Sequence, residues 1–362
     1  MLQTTGGSLL ALGAGGVASA APDDTVEINV GFKSERGRKA ALDAADETVR
    51  EFAFDAMTVR VPKRAVETLD SNPNVRYVEA NGRMRALSWG RTRIGADEAN
   101  ASGYAGEGAD VAVIDTGIDA DNPCLPNVGN GKAFVECFGT DCENPWDDDN
   151  GHGTNVAGVI GASQSCDCTT GVAPDATLHG VKVLDDAGSG SYADIAAGIE
   201  YVGEQGWDVG NISLGGSSGS SAVEDACQYA ADRGVLLVGA AGGSGPCGDG
   251  CVNYPAAYPS VVAVSATDEN DALASFSSTG PEIELAAPGV NIPTTDSGGG
   301  CTTLSGTSFA AAHVSGVAAL LAGEGYSAAD ARTRMRDTAE DIGLPSDEQG
   351  YGLVDAAAAV GL

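Results

Sequence analysis

The sequence predicts an α/β fold with a mostly parallel central sheet and helices on both faces, preceded by a small α+β unit. Three observations carry this. Apolar runs alternate regularly with helical patterns over the larger C-terminal part. The run Val111 to Ile114 is short, continuous and apolar, as a strand covered on both faces must be. The stretch from Thr25 to Leu87 has strand and helix patterns of its own and a different charge balance.

In the first unit the patterning predicts strands near Glu27 to Phe32, Phe52 to Val61 and Val75 to Glu79, with helices near Arg36 to Thr48 and Lys63 to Leu69. Beyond it, strands are expected at Val111 to Ile114, Leu178 to Leu184, Val209 to Leu214, Val235 to Ala240 and Val261 to Ser265. Helices are expected at Asn155 to Ala162, Ala193 to Gln205, Ala222 to Arg233 and Phe309 to Ala322. Ahead of both, Ser8 to Ala21 is apolar, too short to span a bilayer, and ends in Ala18-Ser-Ala20, a small-residue cleavage pattern. Residues 1–21 therefore read as a signal peptide. Met1 to Gly7 carries no lysine or arginine, so the expectation is of a signal peptide cut short at its start. No other segment is apolar enough to cross a membrane.

Charge divides the chain at about residue 88. Residues 1–88 hold 11 Lys+Arg against 12 Asp+Glu, and residues 89–362 hold 8 against 39. Nearly all of the net charge of −32 thus falls on the larger part, which repels nucleic acid and anionic membranes. Only Lys132 and Lys182 remain as lysines there, and 43% hydrophobic residues argue for a packed domain despite the charge. Such a surface suits high salt, where like charges are screened.

All nine cysteines lie after residue 88, at 124, 137, 142, 166, 168, 227, 247, 251 and 301. Exported cysteines oxidise, and Cys137 with Cys142 and Cys247 with Cys251 can close small loops. Zinc is disfavoured because no paired C-x2-C pattern and no neighbouring histidine is present. The odd count leaves at least one thiol outside intramolecular pairs.

Chemistry centres on Thr303 to Gly316, where a glycine-bearing turn runs into a small-residue helix. Ser308 sits at that junction, beside N–H groups that lack intrahelical partners and can stabilise an oxyanion. A plain N-cap role for Ser305, Thr307 and Ser308 is the local alternative. A serine nucleophile needs a base, and three histidines are available. His313 lies on the same apolar helix as Ser308 and reads as a core residue, and His179 alternates within a strand. His152, bracketed by Gly151 and Gly153, is the one open to other chain segments. An orienting acid is supplied by Asp115, which ends the strand Val111 to Ile114, where open α/β sheets carry their sites. The tripeptide Asp115-Thr-Gly117 could mark an aspartic protease, but no second copy occurs.

With Asp115, His152 and Ser308 in this order, the chain resembles the subtilisin-like serine proteases, and most closely their halophilic secreted members, the halolysins. The resemblance extends through Gly171 to Pro174, Ser213 to Gly216, Phe276 to Pro281, Ala287 to Val290 and Tyr351 to Ala357. It implies a serine endopeptidase with residues 89–362 as peptidase domain. Residues 25–88 would be a propeptide that assists folding and inhibits, with removal between Asn81 and Ser88. It implies polypeptide substrates, a monomer, a secreted location and no cofactor. Substrate would pair with Gly188, Ser189 and Gly190 on one side and Ser213, Leu214 and Gly215 on the other. The oxyanion would be held by the Ser308 N–H and the Thr307 hydroxyl. Gly243 stands where the family has a side-chain donor, an asparagine, so a weakly active peptide binder is the alternative, and a triad esterase lacks the G-x-S-x-G elbow. The family's strong calcium site takes an acidic residue nine positions after the catalytic aspartate, plus a loop after the histidine helix. Those places hold Cys124 and Ser163 to Cys168, so a disulfide from Cys124 to Cys166 or Cys168 is expected instead of calcium. Asp147 to Asp149 reads as a solvated acidic loop, with binding of a cation such as calcium there as the alternative.

Overall fold

The computed structural model describes residues 25–81, 88–138, 142–247 and 249–362, and the chain divides into two compact units between residues 84 and 85. The expected signal segment lies outside the described residues, as does most of the expected cleavage region between Asn81 and Ser88. Among the described residues no helix is long and apolar enough to cross a membrane.

The small unit runs β1 (Thr25–Phe32), α1 (Glu35–Ala44), β2 (Glu47–Glu51), β3 (Ala56–Pro62), α2 (Lys63–Asp70) and β4 (Val75–Ala80). Its sheet has the order β2-β3-β1-β4, with each pairing antiparallel. Two boundaries differ from the sequence expectation. The first helix stops at Ala44, and Thr48 belongs to β2, an exposed strand that the sequence reading merged into that helix. The strand expected from Phe52 starts only at Ala56, because β2 and β3 form a hairpin whose turn uses the intervening residues. An exposed edge strand such as Glu47–Glu51 buries no face, so no period-two apolar signal marks it.

The large unit begins with α3 (Trp89–Arg93) and α4 (Ala96–Ala101), then β5 (Asp110–Asp115), β6 (Lys132–Ala133), α5 (His152–Gly161), β7 (Thr177–Lys182), α6 (Tyr192–Gln205) and β8 (Val209–Ile212). It continues with α7 (Ser221–Ala231), β9 (Leu236–Ala240), β10 (Val261–Thr267), β11 (Ile283–Pro288), β12 (Ile292–Thr295), β13 (Cys301–Leu304), α8 (Thr307–Gly323), α9 (Ala328–Thr338), α10 (Ser346–Gln349) and α11 (Ala356–Val360). Seven strands order as β11-β10-β9-β8-β5-β7-β6, and every neighbouring pair is parallel.

The apolar run of β5 shows why the sheet needs helices on both faces. Val111 and Val113 join one core with Val156, Ile160 and Ala310 of α5 and α8. Ala112 and Ile114 join the other with Ile199 and Val223 of α6 and α7. Successive side chains of a strand point to opposite faces, so an unbroken apolar run fills two cores at once. From β5 the chain reaches β7 on one side and then crosses to β8 on the other, which opens a crevice at the carboxyl ends of these strands.

Four disulfides tie loops of the large unit: Cys124–Cys166, Cys137–Cys142, Cys168–Cys301 and Cys247–Cys251. The bond from Cys124 runs to Cys166, one of its two expected partners. The Cys168–Cys301 link, spanning 133 positions, was not legible in the sequence. Cys227 is the free cysteine, buried in α7 with its thiol pushed up to about 12 by burial.

Candidate active site

Asp115 ends β5 and is fully buried. Its Oδ1 lies 2.8 Å from His152 Nδ1 and also accepts the Thr116 N–H at 2.7 Å. The anion raises the His152 pKa above its ordinary 6.5; its charge is the largest cause, opposed by burial and reinforced by the Asp115 hydrogen bond and the charge of Asp148.

His152 opens α5, three residues earlier than the helix expected from Asn155. Two glycines permit this. Gly151 caps the helix at φ 103°, a left-handed conformation that side chains disfavour. Gly153 packs so closely that an added Cβ would stand 2.1 Å from the Gly117 carbonyl oxygen. The loop before the helix is organised by Asp148, whose carboxylate accepts from Asn150 N, Gly151 N, Thr154 N, Thr154 Oγ1 and Thr116 Oγ1 at 2.6–3.1 Å.

The acidic run Asp147 to Asp149 is therefore buried structure, contrary to the solvated loop expected from its charge. Asp147 caps its own loop through Asn144 N, and Asp149 pairs with Lys182, whose ammonium is fully buried and also donates to Thr116 O at 2.6 Å. Burying carboxylates is tolerable only where donors surround them, and here backbone amides and one lysine do so. Sequence spacing contained no sign of that wrapping.

Ser308 is in the first turn of α8, which starts at Thr307, with Gly306 as its cap. No side chain caps this helix, so the plain N-cap reading of Ser305, Thr307 and Ser308 does not hold. The Ser308 hydroxyl donates to Ser213 O at 3.2 Å, and the Ser213 hydroxyl donates back to Ser308 O at 3.0 Å. Behind them Asn211 donates to Ser213 Oγ at 2.8 Å and accepts from the buried Ser315 at 2.9 Å, which ties β8 to α8. The ring of Phe309, the next residue, lies 6.3 Å from that of His152.

One cleft of about 570 Å³ is lined by His152, by Gly188, Ser189 and Gly190, and by Ser213, Leu214 and Gly215. An adjoining cavity of about 350 Å³ shares Ser213 to Gly215 and adds Gly243, Thr307 and Ser308. Apart from the buried Asp115, the catalytic and substrate-binding residues expected from the sequence thus line two depressions that share Ser213 to Gly215. Thr307 Oγ1 accepts the Gly242 N–H at 3.1 Å, which fixes the wall opposite Ser213. Gly243 leaves open space where a Cβ would go. Ser244 donates its N–H to Ser278 and does not line the cavity, whereas Asn253, passed over in the sequence, does.

The other histidines are structural, as expected. His179 bridges Asn130 O and Asp110 and stacks on Trp207 at 4.0 Å. His313 is wholly buried, holds Phe309 O at 2.8 Å, and burial pushes its pKa down to about 4.

The calcium-site position tests directly against the residues present. Cys124 is bonded to Cys166 and has no carboxylate to offer, so this part of the chain does not fit the family's strong cation site.

The profile of the Subtilase family matches residues 106–352, which include all three candidate triad positions. The chain is 43% identical to the thermostable alkaline protease of Halalkalibacterium halodurans over 319 residues, 86% of this chain and 85% of that one. It is 40% identical to the M-protease of Shouchella clausii, covering 86% and 81%, and 38% identical to subtilisin E of Bacillus subtilis, covering 91% and 89%. With the parallel sheet, the crevice and these matches together, the chain belongs to the subtilase family and is a serine endopeptidase.

Proposed function

We propose that the protein is a secreted, salt-adapted endopeptidase of the halolysin type that cleaves polypeptides through Asp115, His152 and Ser308. The observation that carries the triad assignment is the 2.8 Å contact between His152 Nδ1 and the buried Asp115, which orients the ring within the cleft that adjoins Ser308. Ser308 would turn its hydroxyl from Ser213 O to His152, attack the peptide carbonyl and pass its proton to the imidazole. His152 would then return the proton to the leaving amine, and water would release the acyl group by the same route. Asp115 holds one tautomer of His152 and supports the imidazolium. The negative carbonyl oxygen would meet the Ser308 N–H at the start of α8 and the Thr307 hydroxyl. The substrate backbone would lie between Gly188–Gly190 and Ser213–Gly215.

The salt reading rests on 39 acidic against 8 basic residues after residue 88, sharpened by the burial of Lys182, which leaves Lys132 as the exposed lysine there. Export is supported by the apolar segment ahead of Ala21 and by four disulfides. Residues 25–88 act as a removable inhibitor and folding assistant in this reading, and the peptidase part is a monomer. No catalytic metal has a role in it.

Labelling with a fluorophosphonate in high salt tests the site. Covalent modification of Ser308, lost in Ser308→Ala together with cleavage of an unfolded protein, is expected. Labelling elsewhere, or cleavage that survives Ser308→Ala, overturns the assignment. Labelling without cleavage would point to a peptide binder.

A further inference from the structure

After residue 88 the chain keeps two lysines, Lys132 and Lys182, and only Lys132 is exposed. A carboxylate-rich surface gives no reason for a lysine inside. Lys182 is fully buried at the end of β7, where the strand register sets it beside Asp115 at the end of β5. Burying an ammonium is costly unless partners replace the water it loses, so those partners show what the residue does.

Its ammonium donates to Thr116 O at 2.6 Å and to Asp149 Oδ1. The Asp149 side chain is itself only 4% exposed, and its Oδ2 accepts the Phe138 N–H at 2.6 Å. Every polar group of Thr116 is then engaged. Its N–H donates to Asp115 Oδ1, the oxygen that faces His152 Nδ1. Its hydroxyl joins Asp148 to the Gly153 N–H, and its carbonyl accepts from Lys182. Thr116 follows β5, Asp148 and Asp149 precede α5, and His152 opens that helix. From a third segment, Lys182 thus bonds both of the segments that carry the acid and the base.

We propose that Lys182 is a positioning residue for the catalytic pair: it fastens the Thr116 peptide to Asp149, which fixes Asp115 against His152, and it offsets one of the carboxylates gathered at this turn. The inference rests on Asp115, His152 and Ser308 acting as proposed above. The charged groups about the turn are Asp115 on β5, Asp147, Asp148 and Asp149 ahead of α5, and Lys182 on β7. Asp186, whose carbonyl accepts from Asn150, stands at the rim, and α8 turns the ring of Phe309 toward His152. Without the ammonium Asp149 becomes a buried anion without its counter-charge, and Thr116 O loses its donor. The end of β5 is then free to turn away from His152, and the uncompensated negative charge favours the imidazolium.

The test measures kcat and KM against pH for the full chain in high salt, with fluorophosphonate labelling of Ser308 alongside. Lys182→Met keeps the length of the stem and removes the ammonium; kcat should fall about tenfold or more with little change in KM, because only the chemical step needs the aligned pair. The midpoint at which kcat/KM rises with pH should move up, since a cation has left. Asp149→Asn removes an anion and should move that midpoint down. Lys182→Arg keeps the charge and the donors and should return the midpoint to that of the parent. A Lys182→Met protein with parental kcat and midpoint overturns the proposal, even if its thermal stability falls, because the lysine is then structural only. Should Lys182→Met fail to fold, Asp149→Asn decides: an unmoved midpoint with unchanged kcat overturns the role of the pair. Labelling separates this from the triad itself: a labelled parent with unmoved variants sinks Lys182 alone, whereas an unlabelled parent sinks the site.

Discussion

Thr116 Oγ1 donates to Asp148 Oδ1 at 2.8 Å and accepts the Gly153 N–H at 2.9 Å. One hydroxyl thereby fastens the end of β5, which carries Asp115, to the turn that carries His152. Because Asp148 also accepts four donors from the histidine loop and helix, its replacement should release that loop. Asp148→Asn turns acceptors into donors facing N–H groups and is expected to cost about 2–4 kcal/mol, since hydrogen bonds to a charged group contribute about 1.5–3 kcal/mol each and part is recovered. Denaturant unfolding in constant salt measures it. A loss below about 0.5 kcal/mol, as for an ordinary surface change, would contradict the anchoring role.

The same charge tunes the base. His152 must be neutral to accept the serine proton, and Asp115 and Asp148 raise its pKa above 6.5. Activity is therefore expected to rise with pH through a midpoint above 6.5, and Asp148→Asn should move that midpoint down. The stabilising Asp115–His152 attraction has the opposite sign: it is full below about 6.5 and is lost as pH rises through the raised pKa. A kcat/KM profile against pH, with the variant alongside, checks both midpoints.

Gly243→Asn should raise kcat with little change in KM, because only the charged transition state would use the added donor. Space favours the change: a Cβ at Gly243 meets nothing within 4 Å, and the backbone there is not left-handed. Loss of such a donor in subtilisin, the reference case for the effect and a relative of this chain, costs about 10²–10³ in kcat, so that ceiling is borrowed from it. Single-turnover kinetics separate the chemical step. No gain would mean that the oxyanion is already fully held.

Removing the Cys124–Cys166 bond should lower stability by about 4 kcal/mol on the chain-entropy estimate for a loop of 42 residues. A chelator, by contrast, should leave the thermal midpoint of the native protein unmoved, because a disulfide occupies the place of the cation-binding acid. Calorimetry of the Cys124→Ser/Cys166→Ser variant and of the parent with and without chelator tests the pair of statements. A drop with chelator alone would restore a structural cation.

Dialysis from about 1 M salt to about 0.1 M lengthens the Debye length from about 3 to about 10 Å. With acidic residues far outnumbering basic ones after residue 88, repulsion should then unfold or inactivate the protein. Circular dichroism followed during dialysis reads this directly, and an unchanged spectrum and activity would refute salt adaptation.

The sequence by itself determined the class of fold and the three residues worth joining. Strands such as Val111 to Ile114 are legible because a two-faced burial leaves an unbroken apolar run. Ser308, His152 and Asp115 are legible because each is flagged locally by glycines or a strand end. What surrounds them was decided only by tertiary contacts. The run Asp147 to Asp149 looks solvated until amides from α5 and the ammonium of Lys182 close around it, and nothing in three consecutive aspartates encodes which donors will arrive. Cys168 finds Cys301 across 133 positions, a pairing set by where β13 packs. Asn253 looks like an ordinary loop residue until Gly215 and Gly242, which belong to separate segments of the chain, are brought to either side of its side chain. Local periodicity records which face of an element is buried, whereas a site is an agreement among segments whose separation in sequence carries no trace of it.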